Sequence, residues 1–230
     1  MNGSLINQLI KEGYLKTPEI IEAFRKIKRA DFAPDYLLKE KGEDFIAEYN
    51  APLPIGYEQT ISQPLTVAFM LELLQPKAGD RILDIGSGSG WQTALLAQIV
   101  ADLRGPDLGA SLLKAFRSEA PKIFAIERIP ELKEFGEKNA AKYNFIEKGI
   151  AQFFCQDGSL GLPEQAPFDK IIAAASAEKI PESWKKQLKI NGRLVAPVKN
   201  SIWLLIKKKE GQFEEKEYPG FSFVPLVSKQ

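Results

Sequence analysis

The stretch that most restricts the fold is Arg81-Ile-Leu-Asp-Ile-Gly-Ser-Gly-Ser-Gly-Trp-Gln-Thr-Ala94. An apolar strand runs into Gly86, Gly88 and Gly90, and a helical pattern starts at once behind them. Glycine takes left-handed backbone without steric cost and lets a ligand approach where a Cβ would stand in the way. The helix end that follows offers free N–H groups and the positive end of a dipole. A dinucleotide fingerprint, G-x-G-x-x-G, needs glycine at position 91, and that residue is Trp91. The pattern present is D-x-G-x-G-x-G, from Asp84 to Gly90. Taken alone, these residues also fit a tight strand-to-helix turn with no ligand.

Around this loop, short apolar runs alternate with helical stretches. Strands are expected at Arg81–Ile85, Lys122–Glu127, Ala151–Cys155, Lys170–Ala174 and Arg193–Val198, and helices at Trp91–Val100, Pro130–Tyr143 and Pro181–Leu188. That alternation implies an α/β fold with a mostly parallel sheet covered on both faces. Strand-like runs at Ile202–Lys207, Gln212–Tyr218 and Phe221–Leu226 then suggest a C-terminal antiparallel hairpin on the same sheet. Ahead of the core, residues 2–40 carry helical spacing, with Thr17 as N-cap before Pro18. Residues 41–63 read as an ordered loop, and a helix is expected from Pro64 to Leu74. No linker or internal repeat is evident, so 1–230 reads as one domain with an N-terminal helical cap.

Composition removes several kinds of chemistry. The chain has no histidine, which excludes Ser-His and Cys-His nucleophile pairs, imidazole bases and His-ligated metals. One cysteine, Cys155, makes neither an internal disulfide nor a cysteine-cluster metal site, and it reads as a small buried apolar residue. No metal is expected. A net charge of +1 gives no field for a polyanion, and neither a membrane-length apolar run nor a signal peptide is seen. The expectation is a cytoplasmic monomer with neither nucleic acid nor membrane as partner.

A second carboxylate should stand at the end of the next strand to accept ribose hydroxyls, about 20 residues past the glycines. The candidate is Glu127, which is farther away; the excess is accounted for if 101–120 is an insertion. By topology that insertion lies on the side away from the ligand crevice. An exposed strand-end charge is the plainer alternative for Glu127. The third strand ends at Asp157-Gly158, which places an acidic group and a backbone unit in the same crevice.

The glycine spacing resembles motif I of the Rossmann-like methyltransferases that use S-adenosyl-L-methionine (AdoMet). Further segments narrow the resemblance: Pro52-Leu-Pro-Ile-Gly, Gln59-Thr-Ile-Ser-Gln-Pro, Ile126-Glu-Arg-Ile-Pro-Glu-Leu, Asp157-Gly-Ser, Ala166-Pro-Phe-Asp, Gly192-Arg-Leu-Val-Ala-Pro-Val and Phe223-Val-Pro-Leu. Together they are similar to the protein-L-isoaspartate O-methyltransferase family, from about residue 20 to 227, which implies a doubly wound, mostly parallel sheet with the C-terminal strands folded back as a hairpin. The resemblance implies methyl transfer from AdoMet to the α-carboxylate of L-isoaspartyl residues in damaged proteins, the ester then collapsing through a succinimide. By position, Ser62 would orient the substrate carboxylate, with Thr60 and Ile61 lining the peptide cleft and Val224–Val227 closing its far wall. Asp84, Gly86, Ser87, Gly88 and Gly90 would form the methionine side of the cofactor site. Glu127 would take the ribose, and Asp157 with Gly158 would flank the adenine. Departures from the family pattern are Gln156 before Asp157, the bulk of Trp91, and the 101–120 insertion.

Such a reaction needs no histidine. A carboxylate of pKa about 3.5–4 is already ionised at pH 7, and a sulfonium methyl is already electrophilic. Catalysis can then rest mainly on holding the reacting atoms in line about 3–3.5 Å apart. Ser62 has a competing role as N-cap of the helix at 64, compatible with orienting substrate. Other readings are a family-fold enzyme acting on another peptide carboxylate and an AdoMet-binding adaptor without turnover. A nucleic-acid methyltransferase is disfavoured by the charge balance and by the absence of an Asn/Asp-Pro-Pro-Tyr motif near Ala173–Ser176.

Overall fold

The computed structural model describes residues 4–101 and 122–227. The N-terminal region builds α1 (Ser4–Lys11), α2 (Pro18–Lys26), a 3-10 turn at Arg29–Phe32, α3 (Asp35–Lys41) and α4 (Glu43–Glu48). A hairpin of β1 (Leu53–Gly56) and β2 (Gln59–Ile61) follows, then α5 (Pro64–Leu74). The alternating part runs β3 (Ile82–Ile85), α6 (Trp91–Ala101), β4 (Ile123–Glu127), α7 (Pro130–Ala141), β5 (Ala151–Cys155), β6 (Phe168–Ala173), α8 (Glu182–Gln187) and β7 (Leu188–Val198). The strands β8 (Ser201–Lys209) and β9 (Gln212–Pro219) complete a seven-stranded sheet.

The sheet order is β5-β4-β3-β6-β7-β8-β9. The first five strands in that order pair in parallel, and β8 and β9 add antiparallel. The chain leaves β3 toward β4 on one side and returns to β6 on the other. This reversal opens a crevice at the C-terminal ends of β3 and β6, where ligands bind in doubly wound sheets. Alternate residues of one strand enter different cores. Ile82 joins the apolar cluster shared with the N-terminal helices, α5, α6 and α7, whereas Leu83 and Ile85 join the cluster around Trp184 of α8. Burial on both faces is why the central strands read as continuous apolar runs.

Three expectations need correction. Residues 41–63 are not a loop: they contain α4 and the β1–β2 hairpin. The hairpin turn puts Tyr57 and Glu58 in left-handed backbone, at φ 54° and 58°. Asn-Gly is the usual signal for that geometry, and Tyr-Glu hides it. Phe221–Leu226 is extended but forms no strand. Ser176 N–H donates to the Val224 carbonyl and Leu226 N–H to the Ser176 carbonyl, and Pro225 has no N–H to extend a ladder. This segment crosses beside Ser176, just beyond β6, and so reaches the crevice. Thirdly, Cys155 is exposed at the end of the edge strand β5, not buried. The proposed insertion lies outside the described residues apart from Ala101, which closes α6. Thr17 does stand at the N-cap of α2, but its hydroxyl and N–H are both given to Glu72 of α5, tying the two helices together.

Candidate active-site cleft

A cleft of about 390 Å³ opens at the crevice, within the roughly 300–1,000 Å³ usual for small-molecule sites. Its base is the glycine loop, with Gly86, Ser87 and Gly88 on the wall. On one side stand Thr60, Ile61 and Ser62, and on the other Glu127 and Gly158. Val224 and Val227 lie on the segment closing the far side. Residues from five separated parts of the chain, all chosen from sequence, thus meet in one cavity.

Backbone geometry explains the glycines. Gly86, Gly88 and Gly90 have φ of 79°, 49° and 83°. At Gly90 the need is also packing: a Cβ there would lie 2.5 Å from the carbonyl oxygen of Gly136 in α7. Gly90 therefore serves helix-to-loop contact and does not line the cleft.

Asp84 also lies behind the cleft. It is 0% exposed on the α6 side of β3, and its oxygens accept from Gln92 Nε2 at 2.8 Å and Thr93 Oγ1 at 2.6 Å. Burial pushes its carboxyl up to about 6; the bonds from Thr93 and Gln92 pull down, and the Glu127 charge adds to the rise. Asp84 thus fixes the first turn of α6 instead of reaching a ligand directly. The sequence could not separate these roles, since a carboxylate one residue before the loop suits either.

Glu127 is only 7% exposed, which excludes the plain surface charge. Its Oε2 accepts from Gly88 N–H at 3.0 Å, and its Oε1 from the N–H groups of Arg128 (2.7 Å) and Ile129 (3.0 Å). The carboxylate is locked against the glycine loop. An oxygen of this kind has two acceptor positions, so Oε2 keeps one open toward the cleft. Gly158 reaches the wall because it packs on β3, where a Cβ would lie 2.6 Å from Ile85 Cγ2. Asp157 beside it accepts from Ser159 N–H at 2.9 Å, capping a 3-10 turn, and does not line the cleft. Trp184 Nε1 holds the Gly158 carbonyl at 2.8 Å. Gln156 turns its side chain to the Gly161 carbonyl, away from the wall.

Ser62 does not cap α5. Gln63 is the N-cap residue, and Asn50 Oδ1 takes the Leu65 N–H at 3.0 Å. Among the described residues no protein group bonds the Ser62 hydroxyl, which leaves it available in the cleft. Sequence reading missed Asn50, Gln92, Thr93 and Arg29, which hold the walls; polar side chains that serve backbone carry no motif.

The cavity suits AdoMet by its own features. Ser87 Oγ is buried on the wall and has no hydrogen-bond partner among the described residues. The left-handed glycines bring backbone to the surface, and Glu127 presents an acceptor opposite. Among the described residues no group of three or more His, Cys, Asp or Glu side chains is placed to hold a metal ion.

A glycine loop and a strand-end carboxylate at the switch point of a doubly wound sheet, roofed by a C-terminal segment, define a Rossmann-like methyltransferase. Comparison with known proteins narrows the class. The chain belongs to the protein-L-isoaspartate (D-aspartate) O-methyltransferase family, which it matches over residues 1–230. It is 38% identical to the protein-L-isoaspartate O-methyltransferase of Ignicoccus hospitalis, covering 98% of this chain and 97% of that one. Identity to the Methanopyrus kandleri enzyme of the same name is 34%, covering 98% and 91%. A crystal structure from Plasmodium falciparum, described as a protein-L-isoaspartate O-methyltransferase with S-adenosyl-L-homocysteine, superposes with a TM-score of 0.79 over 98% of each chain, at 21% identity. That likeness concerns the fold.

Proposed function

We propose that this chain transfers a methyl group from AdoMet to the α-carboxylate of L-isoaspartyl residues in damaged proteins. The observation that carries the reading is the meeting, in one cleft, of a cofactor-type wall and a second wall able to face a peptide. Family membership and the relatives named for this activity support it. The Plasmodium falciparum protein, crystallised with S-adenosyl-L-homocysteine, supports the choice of cofactor.

When bound, AdoMet supplies a methyl group already activated by the sulfonium charge. The chain's part is placement. Gly86, Ser87 and Gly88 hold the methionine end, with Ser87 Oγ as a free hydrogen-bonding group. Glu127 accepts from the ribose, and Gly158, flanked by Asp157, forms the adenine wall. Asp84 and Gly90 keep this loop in shape from behind. Ser62 donates a hydrogen bond that orients the substrate carboxylate, while Thr60, Ile61, Val224 and Val227 shape the peptide side. No base is needed, because the nucleophile is ionised at neutral pH.

The N-terminal helices share an apolar cluster with the sheet, which supports treating 1–230 as one methyltransferase unit. No helix among the described residues is long and apolar enough to cross a membrane. We read the setting as cytoplasmic, with polypeptide and not nucleic acid as substrate, given a net charge of +1.

Two substitutions test the assignment. Ser62→Ala should lower kcat on an isoaspartyl peptide while leaving AdoMet affinity unchanged. Glu127→Ala leaves three N–H groups without their acceptor and should weaken AdoMet at least about tenfold, since bonds to a charged group contribute about 1.5–3 kcal/mol. Calorimetry with steady-state kinetics separates them, and unchanged cofactor affinity in Glu127→Ala would remove the ribose assignment. The product should be a base-labile ester; a base-stable methyl group would place the transfer on another atom.

A further inference from the structure

We propose that Arg29 is the positioning residue for the substrate side of the cleft, fixing the strand that carries Thr60, Ile61 and Ser62 against the helix behind the glycine loop. The proposal rests on the isoaspartyl reading above. Arg29 lies in the 3-10 turn after α2 and is 4% exposed. Among the described residues no carboxylate pairs with it. Nη1 donates to the carbonyls of Ile46 (3.0 Å) and Tyr49 (2.7 Å). Nη2 donates to those of Ala51 (2.7 Å), Ile61 (3.4 Å) and Ser62 (3.1 Å).

A buried charge is costly unless fixed dipoles replace its water. Here five carbonyls do so, all from the segment that runs from Ile46 in α4 to Ser62, the residue after β2. Two belong to Ile61 and Ser62, which line the cleft. The guanidinium carbon also lies 5.5 Å from the ring centroid of Trp91, the first residue of α6 after Gly90. One side chain therefore touches the support of both walls. Burial brings the guanidinium down to about 10, so it stays cationic at neutral pH. The planar fork matters as well as the charge: the compact ammonium of lysine cannot span five acceptors on separate peptide units.

The test uses Arg29→Ala and Arg29→Lys in the full chain, with four readouts: AdoMet affinity by calorimetry, kcat and KM on an isoaspartyl peptide, amide hydrogen exchange, and rescue by millimolar guanidinium. In both variants kcat/KM should fall by about 100-fold, the scale of a 1 Å misplacement, with AdoMet affinity unchanged. Exchange should accelerate at 59–63 and not at 86–90. Added guanidinium should restore turnover in Arg29→Ala but not in Arg29→Lys, whose side chain occupies the space. Wild-type turnover and exchange in both variants would overturn the proposal. So would a general acceleration of exchange with lost cofactor binding and no rescue, which would make Arg29 a general support of the fold. If the wild-type protein leaves the isoaspartyl peptide unmethylated, the functional reading fails instead, and the contrast in exchange between the two segments still decides the role of Arg29.

Discussion

Asp84 sits where a motif reading places a ligand contact, yet its carboxylate is spent on Gln92 and Thr93. Its environment gives it a measurable pH signature. The folded carboxyl is raised to about 6, above its ordinary value near 3.8, chiefly by burial. Below about pH 4 it is protonated in both states and costs nothing. Between pH 4 and 6 the unfolded chain ionises first, so stability falls as pH rises, and above 6 the loss is constant. Asp84→Asn removes this term. Relative to wild type, the variant should gain about 2–3 kcal/mol between pH 4 and pH 8 in urea unfolding. A stability difference independent of pH would show that Asp84 is ionised in the folded protein throughout. The place of Glu127 was readable because it ends the strand after the glycine loop, whereas Ser62 was placed by the family resemblance alone. Arg29 was not readable: a basic residue in the charged run Lys26-Ile-Lys-Arg-Ala-Asp31 looks the same whether it faces water or five carbonyls.

At the level of elements, the glycine loop depends on the helix beside it. Gly136 falls in the middle of α7, where glycine costs about 1 kcal/mol against alanine. The reason for it is contact: a Cβ at Gly136 would lie 2.7 Å from the Gly88 carbonyl oxygen and 3.2 Å from Gly90 N. Gly136→Ala sets a helix gain of about 1 kcal/mol against overpacking of about 1–3 kcal/mol. The clash is with backbone and cannot be relieved by a rotamer, so overpacking should prevail. The expected variant melts lower and binds AdoMet more weakly, because Gly88 lines the part of the cleft proposed to hold the cofactor. A higher melting temperature with unchanged affinity would mean that α7 and the loop are not held in register. Element type was legible where a short apolar run had clear bounds, as at β3 and β4, or where a proline opened a longer one, as Pro64 does for α5. The β1–β2 hairpin escaped because its turn uses Tyr57 and Glu58 in place of glycine or asparagine. The 221–226 run was read as a strand because apolar composition cannot tell a sheet edge from a cleft wall.

Across the whole molecule, the parallel sheet followed from the alternation of apolar runs and helical stretches, and the antiparallel end from the strand-like runs after Val198; the strand order that sets the switch point came from the structure. The cleft that results combines a rigid base with walls drawn from β2 and the C-terminal segment. The absence of histidine fits this design, since an ionised carboxylate and a sulfonium methyl need to be aligned and not activated. On the reading proposed above, what distinguishes this chain from other methyltransferases of similar fold is the acceptor, the α-carboxylate that an isoaspartyl linkage leaves free beside the main chain. The most direct measurement is a paired assay. Two peptides identical except for an L-isoaspartyl or an L-aspartyl residue are incubated with the enzyme and methyl-labelled AdoMet. Labelling of the isoaspartyl peptide alone, as a base-labile ester, is the expected result; equal labelling of both peptides, or of neither, would contradict it.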